Sequence, residues 1–114
     1  MNKNNEQPKT ENSTELSLEL ETSTIKEICH LLSVKNDEDF TFEFFKNLFT
    51  PPELKDMASR WLLVKELDKG TTQREIARKF GMSLCKITRG SKELSKEDSA
   101  FRKMLSILQD EYKK

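Results

Sequence analysis

Residues 72–94, TQREIARKFGMSLCKITRGSKEL, spell two short helices joined by a tight turn. Thr72 caps the first helix, and Glu75 three residues on completes a capping-box pattern. Ile76, Ala77 and Phe80 fall on one apolar stripe at helical spacing. Gly81 stands where a sharp turn needs a positive φ and no Cβ. Ser83 restarts the chain as an N-cap, and Leu84 and Ile87 supply the buried side of the second helix. Small Ala77, turn-making Gly81 and branched Ile87 occupy the positions at which a helix-turn-helix packs.

The charge around this pair is one-sided. Residues 72–96 hold Arg74, Arg78, Lys79, Lys86, Arg89, Lys92 and Lys96 against Glu75 and Glu93, an excess of five positive charges in a chain whose formal net charge is zero. A basic helix pair is the electrostatic footprint of a DNA reader. The plainer alternative is a helical hairpin with a solvated basic face.

Working upstream, Thr50-Pro51-Pro52-Glu53 opens a helix. Thr50 is its N-cap, Pro51 takes the first helical position, and Glu53 closes a capping box. The pattern predicts a helix to about Asp68, with Leu54, Met57, Ala58, Trp61, Leu62, Val64 and Leu67 apolar and Gly70 as the stop. Before it, Asp37 or Asp39 caps a helix carrying Phe40, Phe42, Phe44, Phe45, Leu48 and Phe49. Aromatic area of this density calls for burial from two sides, as core plus dimer interface. Ser23 or Thr24 starts the first helix, whose apolar side is Ile25, Ile28, Cys29, Leu31, Leu32 and Val34. Downstream of Leu94, Ser95 and Asp98 begin a last helix with Ala100, Phe101, Met104, Leu105, Ile107 and Leu108 on its apolar side. Residues 1–22 are polar and acidic, with Glu6, Glu11, Glu15, Glu19 and Glu21 against Lys3 and Lys9. They read as a disordered arm, a solubilising tail in the plain reading and a competitor for the basic face in the functional one. The domain organisation is then an acidic arm over 1–22 and an all-helical domain over 23–114, with the helix-turn-helix at 72–94.

With 114 residues, 34% hydrophobic and 35% charged, the chain is lean for a self-sufficient core. An oligomer that pools apolar faces answers this. Cys29 and Cys85 lack a CxxC partner, which suits a reducing cytoplasm and the use of both thiols as small hydrophobes. His30 is the only histidine, so Cys29 and His30 do not make a metal site. No signal peptide or membrane span is present in the pattern. An enzyme is not expected: there is no catalytic pair, Gly-rich phosphate loop or ligand cluster.

Several of these residues go beyond a generic motif. Residues 48–51 (LFTP), Ser59 and Arg60, Val64, Glu66 and Leu67, Gly70, residues 73–75 (QRE) and above all residues 87–91 (ITRGS) resemble the tryptophan repressor family. The resemblance covers residues 47–94. It implies an all-α, six-helix intertwined homodimer with a helix-turn-helix DNA-reading head. It also implies a cytoplasmic repressor that takes L-tryptophan as corepressor, binds double-stranded operator DNA and controls genes of tryptophan biosynthesis or salvage. The link formed by Gly70, Thr71 and Thr72 is one residue shorter than in the best-known member.

The family's site residues carry over one at a time. A guanidinium is planar, permanently charged and able to stack on an aromatic face. Arg60 and Arg89 match the two arginines that sandwich the indole, and Arg89 matches the one that also meets the ligand carboxylate. Thr50 matches a threonine beside that carboxylate, and Gly90 a glycine that leaves room for the ring. Asn47 and Phe49 match positions whose backbone carbonyls hold the ammonium. Glu93 replaces a serine that helps there, so it either takes the ammonium or draws Arg89 away. The alternative for both arginines is surface pairing with Glu53, Glu66 or Glu93. Toward DNA, the resemblance assigns phosphate contacts to Gln73, Thr88, Lys92 and the amides from Gly81 to Ser83. Arg74 matches a guanine-reading arginine, and Leu84, Cys85 and Lys86 face base edges, partly through water. Ala77 and Ser95 replace lysines that touch phosphate, a loss that Arg78, Lys79 or Lys96 compensates. Two other readings stay open: a related regulator with another corepressor or none, and a small helical module whose basic hairpin binds acidic proteins.

Overall fold

A computed structural model describes residues 16–113. All regular structure among them is helical: α1 (Leu18–Lys35), α2 (Glu38–Leu48), α3 (Pro51–Asp68), α4 (Gln73–Phe80), α5 (Leu84–Ser95) and α6 (Ala100–Lys113). The chain divides into two compact units, one ending at Phe45 and one starting at Lys46. The all-α expectation with six helices holds.

In the first unit, α1 begins five residues earlier than its expected start at Ser23. Ser17 is the cap, its hydroxyl accepting from the Leu20 amide at 3.1 Å. The hydroxyls of Ser23 and Thr24 instead bond back to the Leu20 carbonyl inside the helix. The expected acidic arm over 1–22 therefore ends in helix, and residues 1–15 lie outside the described residues. Asn36 in the left-handed region closes α1, and Asp37 caps α2 through the Phe40 amide at 2.9 Å. Neither α1 nor α2 has a buried residue. Ile25, Leu31, Val34, Phe40 and Phe42 are exposed. The core half of the reading given to the phenylalanines is thus corrected: the single chain buries none of them, although Phe44, Phe45 and Phe49 are half-covered.

The second unit is built on α3. Thr50 and Glu53 form the full reciprocal capping box with Pro51 at its start. Leu63 and Val64 are neighbours in sequence and feed two different cores. Leu63 joins Ile76 of α4 and Ile87 of α5, with Leu67, Ala77, Phe80 and Met82 packed around them. Val64 joins Leu94 of α5 and Leu105 of α6, flanked by Trp61, Leu67 and Phe101. Successive helical positions point about 100° apart, so one helix serves as the shared wall of both clusters. Leu84, expected on the buried side of α5, is exposed. Cys29 and Cys85 are exposed as well and do not serve as core hydrophobes. Ser99, rather than Ser95 or Asp98, caps α6 by accepting from the amides of Phe101 and Arg102.

The link from α3 to α4 is tightly specified. The Thr71 amide donates to the Glu66 carbonyl and the Gly70 amide to the Leu67 carbonyl, both at 3.0 Å. This is a Schellman ending with glycine at φ 90°, where a Cβ is strained. Glu66 then uses its side chain on the same link. It is only 7% exposed, and it accepts from the Thr71 hydroxyl at 3.0 Å and the Lys69 ammonium at 3.1 Å. Lys79 of α4 lies 3.8 Å from Oε1, the oxygen that accepts from Thr71. These donors, Lys69 first and Thr71 second, hold the Glu66 carboxyl below the ordinary glutamate range. A depressed folded-state value means that stability is present above the unfolded value of about 4.3 and is lost as pH falls below it. Glu66→Gln is therefore expected to lower stability at neutral pH and to flatten the acid limb of a thermal-melt series below about pH 4.3. An acid limb as steep as wild type's refutes the assignment.

Candidate functional site

The reading head takes its shape from local signals. Thr72 caps α4, accepting from the Glu75 amide at 3.1 Å, and Gly81 ends it at φ 64°. Ser83 caps α5, accepting from the Lys86 amide at 3.3 Å. Ile76 and Ile87 are both fully buried, so the two helices are locked by a pair of branched side chains against Leu63. Gln73, Arg74, Leu84, Thr88 and Lys92 remain on the surface, and Arg78 is paired with Glu75.

Between α3 and the reading head lies a cleft of about 470 Å³. Arg60, Leu63 and Val64 of α3 form one wall; Cys85, Lys86, Arg89, Gly90 and Glu93 of α5 form the other, with Phe101 of α6 at the end. The volume falls in the range of small-molecule sites. Four expected ligand residues, Arg60, Arg89, Gly90 and Glu93, come together here. Cys85 and Lys86, expected toward base edges, also line it.

Three expected ligand residues are not part of this cleft. Thr50 spends its hydroxyl on the capping box, donating to Glu53 Oε1 at 3.0 Å and accepting from the Glu53 amide at 3.3 Å. That arrangement holds the Glu53 carboxyl below its usual range, mainly through the Thr50 amide. Phe49 borders a neighbouring groove with Pro52, Met57, Trp61 and Asp56, and Arg60 and Phe101 are common to both hollows. Asn47 is exposed near the end of α2.

Three of the cleft's charged side chains, Arg60, Lys86 and Glu93, are already partnered. Arg60 binds Asp56 one turn back at 3.0 Å, so its surface partner is neither Glu53 nor Glu66. Asp56 Oδ1 also accepts from Lys86 at 2.5 Å, and this bond is the main cause of its lowered carboxyl. Glu93 pairs with Lys96 at 2.7 Å, not with Arg89. Lys96, with a smaller Coulombic contribution from Arg89, holds the Glu93 carboxyl below its usual range. Arg89 is exposed and closes the cleft on the side of α5. The Asp56–Arg60 spacing was open to view in the sequence as an i,i+4 pair. Phe101 and Lys86 had no local signal, because both reach the cleft across the fold.

A family model described as Trp repressor protein matches residues 23–109. The chain belongs to the Trp repressor family. It is accordingly a DNA-binding transcriptional regulator and not an enzyme. Among its relatives, the "Trp operon repressor homolog" of Chlamydia caviae is 41% identical over 87 residues, covering 75% of this chain and 83% of the relative. The protein of that name from Chlamydia trachomatis serovar L2 is 41% identical over 76 residues, covering 66% and 81%. That of Vibrio parahaemolyticus serotype O3:K6 is 37% identical over 62 residues, covering 54% and 60%. No solved structure matches the chain. Among the described residues no group of side chains is arranged to hold a metal ion, and no helix is long and apolar enough to cross a membrane.

Gly90 has a structural reason independent of any ligand. A Cβ there would lie 2.7 Å from Leu63 Cδ2 and 3.3 Å from Cγ. Leu63 is 2% exposed and has little room to yield. Alanine in a helix gains about 1 kcal/mol over glycine, whereas overpacking costs about 1–3 kcal/mol. Gly90→Ala is expected to be neutral to destabilising by about 2 kcal/mol, the difference of those terms. Combined with Leu63→Ala, it should cost less than the sum of the two single changes, as read by urea denaturation. Strict additivity refutes the collision.

Proposed function

We propose that this protein is a homodimeric repressor that takes L-tryptophan into the cleft between α3 and α5 and then grips operator DNA with α4 and α5. The observation that carries the reading is the cleft with Arg60 on one helix and Arg89 on the other. Two guanidiniums on facing walls suit a flat indole between them, and Leu63, Val64 and Phe101 supply apolar surface. Arg89 is the partner for the ligand carboxylate. Thr50, Asn47 and Phe49 take their proposed places beside carboxylate and ammonium when a second chain completes the site. The ligand acts as a wedge that favours one tilt of the reading head, which is a coupling between two sites.

In this reading Arg74 contacts a guanine in the major groove, and Leu84 meets base edges with Cys85 and Lys86. Gln73, Thr88, Lys92 and the backbone from Gly81 to Ser83 hold phosphates. The experiment is calorimetric titration with L-tryptophan, followed by a DNA shift with and without it. Tryptophan should bind and strengthen the shift. Arg89→Ala should abolish binding, and Arg74→Ala should cost about 1–3 kcal/mol in the shift and relax preference at one base pair per half-site. Wild-type tryptophan affinity in the Arg89 variant sinks the clamp.

A specific observation favours a second reading, a relative with a different corepressor. Glu93 stands where the family serine helps hold the ammonium, and its carboxylate is engaged by Lys96. Titration with an indole acid lacking the amino group separates the two, since binding equal to that of tryptophan favours the second.

The homodimer has its own support in the exposed apolar side chains of α1 and α2 and the lean composition. Equilibrium sedimentation at micromolar concentration should give twice the chain mass. A folded monomer there removes the dimer from the mechanism.

A further inference from the structure

Lys86 sits in the first turn of α5, immediately after the Ser83 cap. Its ammonium bridges 30 positions of sequence to Asp56 of α3, Nζ to Oδ1 2.5 Å. The other oxygen of that carboxylate accepts from the Arg60 guanidinium at 3.0 Å. One carboxylate therefore holds a cation from each of the two helices that wall the cleft. Lys86 and Asp56 keep side-chain exposures of 47% and 34%. Water competes for both, so the pair opens at small cost and is suited to switching rather than to holding the core.

The charges have opposite consequences in the two arrangements. While Asp56 holds Lys86, the first turn of α5 offers DNA a neutralised pair in place of a free cation. While Asp56 holds Arg60, that guanidinium is committed to its own helix. A ligand carrying a flat ring and a carboxylate recruits Arg60 and must fit between walls that the Asp56–Lys86 bond ties together. We propose that Asp56 is an electrostatic latch on the reading helix: it ties Lys86 to α3 in the ligand-free protein, and ligand entry releases Lys86 to the DNA groove. The latch rests on the DNA-reading and ligand-cleft roles proposed above. It adds to them a residue that opposes both kinds of binding, and it makes Lys86 a ligand-dependent DNA contact.

The test is Asp56→Asn, which keeps shape and removes charge, with Asp56→Ala as a second removal of the carboxylate. Binding to a mixed-sequence DNA duplex is measured across a salt series, with and without L-tryptophan. Without ligand, both variants should bind about two- to fivefold tighter than wild type. The slope of log affinity against log salt should steepen by about 0.9, one more free cation brought to the duplex and one more counterion released. The factor by which L-tryptophan improves binding should shrink to match. In a Lys86→Gln background, Asp56→Asn should change neither affinity nor slope. Unchanged ligand-free affinity in both variants overturns the latch, as does an equal gain in the Lys86→Gln background, which marks a general charge effect. A wild-type protein that binds no duplex at low salt removes the DNA-reading role and the latch together; wild-type binding with unaltered variants removes the latch alone.

Discussion

The approach of α5 to α3 at Gly90 and Leu63 is the constraint on which the second unit depends. A missing Cβ lets the backbone of α5 come down onto a buried leucine. Leu63 in turn meets Ile76 and Ile87. The reading helix is thereby held close to α3 near its middle, beside a cleft bordered by Cys85, Lys86 and Arg89. A closer seat would close the cleft, and a looser one would leave Ile87 without its partner. The cleft proposed to take a ligand and the helix pair proposed to read DNA thus share one packing element, which is a physical basis for coupling them.

Charge is organised around the same helix. Three carboxylates of α3 each reach a different basic helix: Asp56 to Lys86 of α5, Glu66 to Lys79 of α4, and Asp68 to Arg102 of α6. These pairs differ in character. Glu66 is nearly buried and is bonded also to Thr71 and Lys69, so it acts as a pin at the base of the reading head. Asp56 is part exposed and shared between Arg60 and Lys86, so it is free to exchange partners. The pin sits at the link and the exchangeable pair sits at the cleft. A head that pivots needs one firm end and one yielding end, and the amide bonds of Gly70 and Thr71 tie the firm one.

The first unit follows a different logic. Its helices are properly capped but bury nothing. Ile25, Leu31, Val34, Phe40 and Phe42 are exposed in the single chain. Apolar area on this scale is costly in water. The proposed dimer is the arrangement in which that surface finds a partner, and it would also bring Thr50 and its neighbours into use.

What the sequence determined by itself was most of what depends on near neighbours in the chain. Thr50, Pro51 and Glu53 marked the start of α3, Thr72 and Glu75 that of α4, and Gly81 with Ser83 the turn between α4 and α5, because caps and glycine turns act within three or four residues. The ITRGS run placed Arg89 and Gly90, and with Arg60 it pointed to the family and to three of the residues that line the cleft. Local signals also misled: Ser23 and Thr24 looked like caps but sit inside α1, since a serine or threonine bonding back to a carbonyl satisfies the same chemistry. Tertiary structure alone decided the burial of Glu66, the arrival of Phe101 at the cleft, the exposure of Leu84 and the bond from Asp56 to Lys86. Those depend on how α3, α5 and α6 are oriented against one another, and the angle between helices is set by side-chain packing at positions far apart in the chain. The pattern of apolar residues says which face of a helix is greasy; only the packed structure says which carboxylate lies opposite which lysine.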